Sequence, residues 1–161
     1  MTQHITPIKM AITAAVATFT AVFGWLGWLV VLYVGCMVVD WITGSVAAGK
    51  AGAWQSSIAR EGLWHKCGSI VAVGVAAGSD CLLGLVINNI PAISIPFTYT
   101  VLLCPIVIVW YILTELGSII ENAGKMGAPI PSFLQKIIAI FKDKVDAAGN
   151  TIAANTEEKT E

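Results

Sequence analysis

Chemistry needs side chains that move protons, hold metals or attack electrophiles, and in these 161 residues they are few. Asp40, Asp80, His65, Cys67, Ser56 and Ser57 are the candidates. His65 and Cys67 lack a third metal ligand at usable spacing. Ser56 and Ser57 have no strand–turn–helix context of the nucleophile-elbow kind, and no phosphate-cradling glycine pattern is present. His65 beside Lys66 reads as a boundary residue. A catalytic set would have to unite Asp40, Asp80 and His65, whose places in the chain argue against it. No catalytic residue, metal site or cofactor is expected, and the chain is not expected to be an enzyme. Two anomalies remain: Asp40 in VVDWITG and Asp80 in AAGSDCLLG are carboxylates in apolar surroundings.

The rest of the chain explains why that is unusual. Hydrophobic residues make up 57% and charged residues 12%, against roughly 45–50% and 25% in ordinary globular chains. A net charge of −1 gives no reason to expect a nucleic-acid partner. Uncharged runs cover 10–39, 67–79 and 81–114, long enough to suggest membrane-spanning helices. Cys36, Cys67, Cys81 and Cys104 lie in or beside these runs and read as small buried hydrophobes.

The run from Met10 to Val39 is too long for one crossing. FGWLGW (23–28) divides it, with glycines that loosen a helix and tryptophans that favour the membrane–water boundary. Spans are expected at about 8–23, 27–48, 67–87 and 97–116. In the first, Thr13, Ala17, Thr20 and Gly24 form a small, mildly polar stripe. Such a stripe suits helix–helix contact, or a face bordering water in an assembly. Lys9 and the AVA triplet at 15–17 also allow a cleaved signal peptide. Gly74 and Gly78 give the third span a close-packing pattern. Residues 49–66 read as a polar loop and 88–96 as an uncharged turn. Pro105 is expected to kink the fourth span.

Residues 123–145 read as a turn followed by an amphipathic cytoplasmic helix, with Leu134, Ile137, Ile138, Phe141 and Val145 on one face. That face suits a membrane surface or a partner subunit. Residues 146–161 read as a disordered polar tail. The expected fold is an all-α integral membrane protein with about four transmembrane helices and a C-terminal amphipathic helix. On that plan all nine basic residues fall on one side. By the positive-inside rule that side is the cytoplasm, with both termini inside the bacterial cytoplasmic membrane.

Neither buried acid should face lipid, where a carboxylate is costly. Asp40 lies toward the cytoplasm, near Arg60 and Lys66. It is either paired or capping there, or it lines a wet interior or an oligomer interface. Asp80, beside Ser79, lies toward the exterior, where a polar seam between helices would satisfy it. Glu115 and Glu121 read as inner-boundary residues.

Two blocks carry a resemblance. DWITGSVAAGKAGAWQSSIAREGLWHKCGSIVAVGVAAGSD (40–80) and ELGSIIENAGKMGAPIPSFLQKI (115–137) resemble the phage holin family that includes the clostridial toxin-secretion holins. Asp40, Trp41, Thr43, Gly44, Ser56, Ser57, Gly62, Lys66 and Asp80 fit the first motif. Glu115, Ser118, Glu121, Asn122, Gly124, Pro129 and Pro131 fit the second. The uncharged stretch 81–114 and the polar tail depart from the pattern. The resemblance implies a transmembrane holin domain over about 1–122. It implies a homo-oligomer that permeabilises the lipid bilayer so that an endolysin, without required direct contact, reaches the cell wall. An export accessory for a toxin or protein and a small ion channel or transporter are the alternatives.

Overall fold

The computed structural model describes residues 5–90 and 101–157. They form four helices: α1 (Ile5–Lys50), α2 (Ser56–Asn89), α3 (Leu103–Lys125) and α4 (Ser132–Glu157). The first three are long and apolar enough to cross a membrane. The chain is all-helical among its described residues, as the composition leads one to expect.

α1 is not one rod. Gly24 leaves the helical region (φ 59°, ψ −154°), so the element is two helical segments joined at a break. The bend is sharp. Thr20 Oγ1 accepts from Trp28 Nε1 at 2.9 Å, and the rings of Phe19 and Trp28 lie 5.0 Å apart. In a straight helix, eight or nine residues would separate these groups by about 12–14 Å along the axis. A Cβ on Gly27 would meet Phe23 Cβ at 2.4 Å. Both glycines of FGWLGW are thus required, one for its dihedrals and one for its lack of a side chain.

α3 is the central element. It packs against the second segment of α1, against α2 and against α4, while α1 and α2 touch each other least. The core joins Tyr33, Cys36 and Met37 of α1, Ala76 of α2, and Cys104, Ile108 and Ile112 of α3. The ends of α1 and α3 coincide, because Lys50 Nζ donates to the Met126 carbonyl just past α3. α2 runs antiparallel to both.

Three sequence expectations change. Residues 49–66 are mostly not a loop. The connection is only 51–55, and IAREGLWHK is helical. Its polarity marks a helix that outruns the membrane, since 34 residues extend about 51 Å. Pro105 makes no interior kink. It is the third residue of α3, where the missing N–H costs nothing. The polar stretch after Val145 stays helical to Glu157, helped by its alanines. Residues 91–100, which hold most of the expected turn and the start of the expected fourth span, lie outside the described residues.

Candidate functional site

Three helices each contribute one charge to the same point. Asp40 is 10 residues from the end of α1, Lys66 10 from the start of α2, and Glu115 10 from the end of α3 (50 − 40, 66 − 56, 125 − 115). The equal offsets place all three about 15 Å from the shared helix ends. Lys66 Nζ donates to Asp40 Oδ2 at 2.9 Å and to Glu115 Oε2. The side chains are only 11–19% exposed, so water screens the pairing weakly.

Neighbours complete the cluster. Asn122 Nδ2 donates to Asp40 Oδ1 at 3.1 Å and lies 3.4 Å from Thr43 Oγ1. Thr43 Oγ1 itself donates to the Asp40 carbonyl at 3.1 Å. Ser69 Oγ donates to the Lys66 carbonyl at 2.8 Å and accepts from Tyr33 OH at 2.5 Å. Gly44 makes room, since a Cβ there would sit 3.4 Å from Asn122 Nδ2. Two carboxylates against one ammonium leave a formal excess of one negative charge. The cluster borders an open groove of about 1050 Å³, lined also by Trp41, Trp64 and Trp110.

Asp80 is solved differently. It is 1% exposed and caps the start of α3. Oδ1 accepts from the backbone N–H of Leu102 at 3.1 Å and of Leu103 at 2.9 Å. Oδ2 accepts from Cys104 N–H at 2.7 Å. A helix start leaves its first four N–H groups without helical acceptors, and the fourth here is Pro105, which has none. One carboxylate from α2 therefore takes every available first-turn donor, and the helix dipole favours its charge. Along α3, Cys104 and Asn122 are 18 residues, about 27 Å, apart. The two aspartates are separate sites, and Asp80, Asp40 and His65 do not converge.

A family model of the bacteriophage holin family matches residues 17–143. The chain belongs to the bacteriophage holin family. An uncharacterized protein of Halalkalibacterium halodurans is 33% identical over 132 residues, covering 81% of this chain and 91% of that protein. Uncharacterized proteins of Listeria innocua and Clostridium perfringens are 31% and 27% identical, each over 85% of this chain. No solved structure matches.

Within this holin-family chain the motif residues other than Asp80 fall mainly in two settings. Asp40, Thr43, Gly44, Lys66, Glu115 and Asn122 meet in the ion cluster. Ser57, Glu121 and Pro131 are exposed, Gly62 is half-buried, and Trp41 is 48% exposed at the groove. Thr13 and Ala17 are exposed, and Thr20 is taken up by the bend, where it also donates to the Val16 carbonyl at 2.8 Å. A Cβ at Gly74 or Gly78 would meet nothing within 4 Å among the described residues, and Ser79 is half-buried. Cys67 and Cys81 are exposed, whereas Cys36 and Cys104 are buried. Sequence reasoning missed the burial of Glu115, and it missed Tyr33 and Ser69 altogether. The cue for Glu115 was its distance from the helix end, equal to that of Asp40 and Lys66.

Proposed function

We propose that the chain is a holin. It accumulates in the bacterial cytoplasmic membrane, oligomerises, and opens lesions through which a phage endolysin reaches the cell wall. The membrane topology proposed is four crossings, the two segments of α1 each crossing once, with both termini cytoplasmic. The carrying observation, beside family membership, is where the apolar surface lies. In the most apolar stretches of α1, α2 and α3 only 17%, 11% and 28% of residues are buried within the chain. Lipid or other copies must cover the remainder. The small-residue positions Ala17, Gly74 and Gly78 suit contact between copies. No chemical step is invoked, and the endolysin need not touch the holin.

Lysis follows from permeability alone on this reading. Expression in bacteria should collapse the membrane potential abruptly and release a co-expressed endolysin. Full-length protein accumulating in the membrane with the potential intact and the endolysin retained would contradict it. A narrower cation channel is the second reading, supported by the excess negative charge beside the groove. It predicts depolarisation without endolysin release.

A further inference from the structure

α4 lies antiparallel along α3. Gln135 and Ile138 share a cleft with Ser118 and Glu121. Lys142 Nζ sits 4.1 Å from the Trp110 ring centroid. Val145 and Ala148 line an open hollow with Pro105 and Ile106, with Phe141 and Lys144 at its edge. Lys142, Asp143, Lys144 and Asp146 therefore run level with the first half of α3. If α3 crosses a bilayer, as the holin reading requires, this docking would carry those charges into hydrocarbon, where each is costly.

The docking also leaves most of α4's apolar surface uncovered. Only Ile138, Lys142, Val145, Gly149 and Ile152 are half-buried among its described residues. Phe133, Ile137, Ile140 and Phe141 stay 42–62% exposed. On a helical projection these four form one continuous arc beside the docked edge. Lys144 emerges within the arc and Lys136 beside it, each able to reach a headgroup from an apolar bed. The connection MGAPIP contains Gly127 at φ +97°, a backbone state that suits a pivot. Lys50 holds the Met126 carbonyl on the α3 side of that pivot.

We infer that α4 is a detachable strap: on insertion it leaves α3 and lays its Phe133–Ile137–Ile140–Phe141 arc on the anionic inner face of the bilayer. The occupant of the arc is the lipid surface, since the chain's own spans put that surface within reach of the pivot. The inference rests on the holin reading for its topology but not on lesion formation.

The test uses the full chain with its four native cysteines replaced by alanine. An environment-sensitive label is placed at Ile137→Cys on the arc or at Asp143→Cys on the polar side. Labelled chains are reconstituted into phosphatidylethanolamine–phosphatidylglycerol liposomes with and without brominated acyl chains. The strap predicts at least threefold quenching at position 137 and none at 143. Quenching at both positions means that α4 stays embedded beside α3, and quenching at neither means that it stays in water; either result overturns the inference. If the cysteine-free chain does not fold, replacing only the exposed Cys67 and Cys81 gives the same readout. Dye leakage is scored separately, so absent leakage would sink the holin reading and leave the strap to be judged on quenching alone.

Discussion

At the scale of single residues, the ion cluster is held together by one cation. Lys66 is the cation shared between two carboxylates. Removing it as Lys66→Met should leave Asp40 and Glu115 buried beside each other, at a cost of about 3–5 kcal/mol. Glu115→Gln keeps the Lys66–Asp40 pair and should cost markedly less. Denaturant unfolding in detergent, followed by far-UV circular dichroism, checks the order. Equal losses would mean that the cluster is not the junction described. Asp80 is governed by a different rule, because its partners are backbone donors. Asp80→Asn retains one acceptor oxygen and should strand at least one buried N–H, costing about 1–3 kcal/mol. Faster hydrogen exchange at Leu103 and Cys104 in the variant is the expected sign.

Among elements, two glycines decide the shape of α1. Gly24 adopts φ 59° with ψ −154°, a region open essentially to glycine alone. Gly24→Ala should straighten the bend or strain it by about 1–3 kcal/mol. Loss of the Thr20–Trp28 contact, read as a change in Trp28 emission in an otherwise Trp-free chain, would report the straightening. The break itself was legible in FGWLGW, because glycines at the centre of a long uncharged run loosen the helix there. The extents of α2 and α4 were not legible. In both, polar composition reads as absence of helix, although exposed helices are polar too. Pro105 misled for a related reason: proline breaks a helix interior but is welcome in a first turn, and the sequence does not mark where α3 begins.

For the whole molecule, membrane residence was readable from composition, and two conspicuous acids were readable as needing partners. Their solutions were not, because both partners come from other helices. The Lys66 that satisfies Asp40 lay in what read as a loop. The cap that Asp80 provides depends on a helix start 22 residues further on. Burial of Glu115 was missed because an expected span ending at about 116 puts it at the inner boundary. What three helices long enough to cross a bilayer leave uncovered is the larger fact, and lipid or other copies must cover it. The holin account therefore predicts a threshold: release should rise steeply with the protein-to-lipid ratio rather than linearly. Purified chain in liposomes loaded with both a small dye and a folded protein of endolysin size measures this most directly. The account predicts that both cargoes escape together above one critical density. Escape of the dye alone at every density, or of neither cargo, would contradict it.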